Sequence, residues 1–134
     1  MRFSDLLSRM LLREAEDPNL RRVVRAPRFD KEMKKVASGF RDVPELFADF
    51  IAFRRNRAND LKGWGKKDEP LTGVLAGYRH VHLHFGKVIV IYRYTQSTLY
   101  LLTVQNHIEM AGRSSGKQAV RLGDTLDAIF KRIS

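Results

Sequence analysis

The chain has 134 residues, 43% of them hydrophobic and 30% charged, enough for one globular domain with a real core and too few for two. Twenty-five Lys and Arg against 15 Asp and Glu leave a net charge of +10, so nucleic acid or a nucleoprotein is the expected partner, through release of its counterions. The absence of cysteine excludes disulfides and thiolate metal sites; no apolar run approaches the ~20 residues of a membrane span, and the expectation is a cytoplasmic protein with no membrane partner.

In chain order, Ser4 can cap a first helix with Phe3, Leu6, Leu7, Met10 and Leu11 along one stripe, broken at Asp17-Pro18-Asn19. This arm, residues 1–21, is either a partner-binding helix or one folded back onto its own core, and core faces are the commoner use of such stripes. Residues 20–25 read as a short strand ended by Pro27. Phe29, Met33, Val36, Ala37 and Phe40 then recur at helical spacing, with Asp30 as the cap. Pro44 suits the first turn of a second helix that stops near residues 56–59, and the short join predicts an antiparallel helical hairpin.

Residues 60–75 read as loop. Three strands follow, at residues 77–85, 88–95 and 99–104. The connections at Gly86-Lys87 and Gln96-Ser97 are short enough for an antiparallel meander. The stretch Gly112-Arg113-Ser114-Ser115-Gly116-Lys117 lacks the spacing of a phosphate-binding loop and reads as a lead into a closing helix, with Ala119, Leu122, Leu126, Ile129 and Phe130 inward. The fold class is α+β, with 1–134 as a single domain: a helical extension over 1–21 and a core over 22–134.

The chemistry-bearing residues are concentrated. His80, His82 and His84 alternate along one predicted strand, and His107 closes another. Alternation predicts one face for the three imidazoles and the other for Val81, Leu83 and Phe85. Imidazole is the side chain suited to proton transfer near neutral pH. The competing readings are polar strand surface and a His-x-His-x-His metal site. Residues i and i+4 on a strand stand roughly 13 Å apart, so only adjacent pairs could share an ion. No metal and no small-molecule cofactor is expected. Trp64, in a glycine-rich basic loop, either stacks on a base or covers the core edge.

Lys67-Asp68-Glu69-Pro70-Leu71-Thr72-Gly73, then Gly77-Tyr78-Arg79, His82, Val90-Ile91-Tyr92-Arg93 and Asn106-His107 resemble the RelE/YafQ class of bacterial toxins. These are small basic ribonucleases that cut messenger RNA on the ribosome. The stretch from His107 to Ile133 looks more like YafO, a member of the same broad group. The resemblance implies a twisted antiparallel sheet of about four strands, with the helical hairpin on one face and a C-terminal helix. It also implies an antitoxin partner. Residue by residue, His82 matches the histidine after Gly-Tyr-Arg, and His107 the one closing the last strand. Asp68-Glu69-Pro70 stands where such toxins have Asp-His-Pro, so Glu69 takes a catalytic histidine's place. Gly86 takes that of a catalytic aspartate, and Ala111 that of an aromatic that helps hold the base.

Metal-free RNA cleavage needs a base for the ribose 2′-hydroxyl, an acid for the leaving 5′-oxygen and positive charge around the phosphate. The expected acid–base pair is His82 and His107, with His84 or His80 assisting and Asp68 and Glu69 in the catalytic set. Lys66, Lys67, Arg79, Arg93, Arg113 and Lys117 are the expected RNA contacts. The main alternative is a RelE-fold protein that binds nucleic acid or the ribosome without catalysis, and a weaker one is a gyrase-inhibiting relative.

Overall fold

The computed structural model describes residues 22–56, 68–95, 97–106 and 116–134. The expected helix in 1–21 lies outside them, as do Trp64, Lys66, Lys67, His107, Ala111, Arg113, Ser114 and Ser115. The elements are β1 (Arg22–Arg25), α1 (Phe29–Gly39), α2 (Val43–Asn56), β2 (Asp68–Pro70), a 3-10 turn (Gly73–Leu75), β3 (Arg79–Leu83), β4 (Val88–Thr95), β5 (Thr98–Asn106) and α3 (Gly116–Ile133). The class is α+β.

The sheet differs from expectation in two ways. It has five strands, in the order β1-β5-β4-β3-β2, and it is mixed, because β1 runs parallel to β5. The meander leaves one edge of β5 open, and Arg22–Arg25 fills it, Val23 opposite Leu99 and Arg25 opposite Leu101. The extra strand at the far edge is Asp68-Glu69-Pro70, which reads as loop because it has no apolar alternation. Pairing makes it a strand: Asp68 lies opposite Val81, Glu69 opposite His80 and Pro70 opposite Arg79. Proline is tolerated there because β2 is an edge strand.

The central strand β4, Val-Ile-Val-Ile-Tyr-Arg-Tyr-Thr, is buried from Val88 to Tyr92, as a strand covered on both faces must be. One face carries Val88, Val90 and Tyr92, with Val81 and Leu83 of β3 and Leu99 and Leu101 of β5. It packs against Phe29 and Met33 of α1 and Phe47, Phe50 and Ile51 of α2. The other face carries Ile89, Ile91 and Leu102, and packs against Leu122 and Leu126 of α3, with Leu75 and Tyr78. The helical hairpin and the closing helix thus cover opposite faces. Asp30 does not cap α1; the N-cap is Arg28, without a side-chain hydrogen bond, and the Asp30 carboxylate accepts from Arg25 at 2.7 Å. Among the described residues no helix is long and apolar enough to cross a membrane.

Candidate nucleic-acid interface

The register places each functional side chain. Directly opposed residues of an antiparallel pair share a face. His80 lies opposite Ile91 and His82 opposite Ile89, so both imidazoles face the α3 side. Their ring centroids are 4.6 Å apart in an edge-to-face arrangement. Both are partly exposed. Glu69, exposed on the edge strand, stands opposite His80.

His84 does not join them. Alternation ends with β3 at Leu83, and His84, Phe85 and Gly86 all take left-handed backbone, at φ 51°, 55° and 81°. A turn of that hand carries His84 toward the helical hairpin. Its Nδ1 lies 2.7 and 2.8 Å from the two carboxylate oxygens of Asp42, in the α1–α2 connection, and its ring stands 4.7 Å from that of Phe40. A carboxylate can only accept, so Nδ1 carries a proton and donates it to Asp42. The expectation of three imidazoles on one face therefore holds for His80 and His82 alone.

Asp68 and Arg79, expected in the catalytic and RNA-binding sets, are held by each other. Asp68 is 2% exposed. Its Oδ1 accepts from the Tyr92 hydroxyl at 2.5 Å and from Arg79 Nε at 3.3 Å. Arg79 also donates to the Asp68 carbonyl at 3.2 Å. Asp68 and Arg79 lie opposite Val81 and Tyr92 respectively, which both belong to the hairpin-side core. That is the face His80 and His82 turn away from, so this buried pair joins β2 to β3.

Arg93 is placed differently. Its guanidinium lies over the rings of Phe130, 4.4 Å from the centroid, and Tyr78, 5.6 Å away, on the α3 side. Cation–π stacking occupies the face of a guanidinium and leaves its N–H edges for polar partners, of which Tyr78 is one. Tyr78 is buried beneath it and donates to Asp127. Burial first, then that bond to a carboxylate, push its phenol up to about 12. Lys117 is exposed in the first turn of α3. Among the described residues no three His, Asp or Glu stand close enough together to hold a metal ion.

Nothing in the sequence gives a site role to Asp42 and Phe40, which hold His84, or to Tyr92, which donates to Asp68. Only the short join between the helices hints that Asp42 reaches a strand end.

No family model matches the chain, and no curated protein matches it. Solved structures of similar shape exist. YafQ from E. coli strain BL21(DE3) is 23% identical, covers 66% of this chain and 94% of its own, and superposes with a TM-score of 0.49. HP0892, a conserved hypothetical protein from Helicobacter pylori, gives 24%, 66%, 96% and 0.45. The E. coli DinJ-YafQ toxin-antitoxin complex gives 22%, 66%, 93% and 0.49. These are likenesses of fold.

Proposed function

We propose that this chain is a RelE/YafQ-like toxin that cleaves messenger RNA on the ribosome without a metal ion. The observation that carries the reading is the pair of touching imidazoles, His80 and His82, on one sheet face of a chain with net charge +10. A neutral imidazole takes the proton of the ribose 2′-hydroxyl, whose oxygen attacks the phosphorus. A protonated imidazole gives its proton to the departing 5′-oxygen. His82 and His107 are the proposed acid–base pair. His80, in ring contact with His82, assists, a role better suited to it than to His84, whose ring is turned to Asp42. Arg93 and Lys117, with Lys66, Lys67 and Arg113, are the proposed phosphate contacts. The sequence resemblance further implies an antitoxin protein as partner.

A second reading, a protein of this fold that binds RNA or the ribosome without cutting, is favoured by Glu69 and Gly86, which stand where the resemblance calls for a histidine and an aspartate. Induced expression of wild type and a His82→Ala, His107→Ala double variant, with mapping of transcript 5′ ends, separates the two. Loss of one acid–base group costs about 100- to 10,000-fold, so new ends and growth arrest should vanish together. New 5′ ends that persist in the double variant refute the acid–base assignment. Arrest that persists without new ends supports the binding protein.

A further inference from the structure

The tip of the β3–β4 hairpin is built in an unfavourable way. His84 and Phe85 both hold positive φ, a conformation that side-chain-bearing residues rarely adopt. The turn closes with the Lys87 amide donating to the His84 carbonyl at 3.1 Å. Its product is an apolar ring in water: Phe85 is 96% exposed. The ring is nonetheless held, edge-to-face against His84 at 5.5 Å. His84 is in turn fixed by Asp42 and Phe40. Beside the ring lies a hollow of about 170 Å³, lined by Asp42, Leu46, His82, His84 and Phe85 among others. Arg41 and Lys87, both exposed, adjoin it along the chain.

We propose that this tip is a stacking platform for one base of single-stranded RNA, with the Phe85 phenyl as the platform and the hollow beside it taking the adjoining nucleotide. Three observations select RNA as the occupant. The chain carries net charge +10, two exposed cations adjoin the tip, and His82 is among the residues that line the hollow. An exposed aromatic ring costs water contact when free, and a base recovers that cost whatever its sequence, because every base has a π-face. The platform rests on RNA being the ligand, as proposed above, and not on cleavage.

The test is equilibrium binding of a labelled single-stranded RNA oligonucleotide to the full chain, in wild type and in Phe85→Ala, Phe85→Leu and Phe85→Trp variants of matched thermal stability. Alanine and leucine should weaken binding about 5- to 150-fold, and tryptophan should retain it. Against an oligonucleotide made abasic throughout, all four proteins should bind alike. Leucine binding as well as phenylalanine would show a merely apolar contact and overturn the platform. So would alanine binding RNA as tightly as wild type, including the case in which that variant instead loses a bound protein. Cleavage that survives in the His82→Ala, His107→Ala variant removes the acid–base assignment alone, and wild type that makes no new 5′ ends removes the nuclease reading alone, since Phe85-dependent binding requires neither.

Discussion

Asp68 and Arg79 lie 3.3 Å apart in the seam between β2 and β3, with the Tyr92 hydroxyl donating to the same carboxylate oxygen at 2.5 Å. Removing one member of a buried ion pair leaves the other charged and desolvated, at a cost of about 3–5 kcal/mol. Asp68→Ala should therefore lower unfolding free energy by that order in denaturant melts, and Asp68→Ala combined with Arg79→Met should recover part of the loss. Cleavage per folded molecule should stay near wild type at a temperature where both remain folded. A variant with full stability and no cleavage would instead make Asp68 a catalytic group.

Tyr78 gives a spectroscopic signature at high pH. Its phenol is raised to about 12 by burial and by the bond it donates to Asp127. The folded state holds this proton more tightly than the unfolded state. The stability contributed is therefore complete below the ordinary tyrosine value of 10.0 and is lost as pH rises toward about 12. An alkaline absorbance titration of the native protein should include a late phenolate step that Tyr78→Phe removes. That variant should lose about 1 kcal/mol at neutral pH, the net worth of one hydrogen bond. A titration with no late step would show the phenol to be solvated.

The α+β class, the helix starting at Phe29, the strand from Val88 to Thr95 and the closing helix are legible because local apolar periodicity set them. The short strand within residues 20–25 is legible too, but not its place at the open edge of β5 or its parallel direction. Asp68–Pro70 is not legible as a strand at all: pairing with β3 makes it one, and no window of the segment contains that partner. The histidine cluster is visible as residues, and alternation correctly pairs His80 with His82. It fails at His84 because three left-handed residues in succession reverse the chain there. That conformation is expected of Gly86 and is not encoded by His84 or Phe85 themselves. The Asp68–Arg79 seam was equally hidden, since charged residues in a basic chain read as ligand contacts until their burial is seen.

Glu32 of α1 sets a slope on the acid side. Burial raises its carboxyl above the ordinary 4.5, against hydrogen bonds from Thr103 and Val104 and the nearby charge of Arg28, which lower it. The Thr103 hydroxyl donates to it at 3.0 Å. Above pH 4.5 the folded state holds this proton while the unfolded state has released it, so stability from this group falls as pH rises through the folded value. Glu32→Gln keeps an acceptor for Thr103 and removes the titration. It should lose less stability than wild type between pH 4 and pH 7 in denaturant melts. Parallel curves for the two proteins would show the carboxyl to be unperturbed.

Arg93 and Arg79 should part company in their dependence on salt. Arg93 stands on the sheet face shared by His80 and His82, its guanidinium stacked on Phe130 and hydrogen-bonded to Tyr78. Arg79 is turned to the hairpin side and is held by Asp68 and Tyr92. On a single strand, each phosphate neutralised by a side chain adds about 0.7 to the slope of log binding constant against log salt concentration. Arg93→Ala should reduce that slope by about 0.7 for single-stranded RNA, and Lys117→Ala should act likewise. Arg79→Met should leave the slope intact while lowering the melting temperature, because it strands the Asp68 carboxylate in the seam. Arg93→Ala will also lose packing against Phe130, worth about 0.5–1 kcal/mol at a part-exposed site, so binding is compared at temperatures where every variant is folded. An unchanged slope for Arg93→Ala, or a reduced one for Arg79→Met, would mean that RNA crosses the other face of the sheet, and the acid–base pair would then have to be sought beside His84 and Asp42.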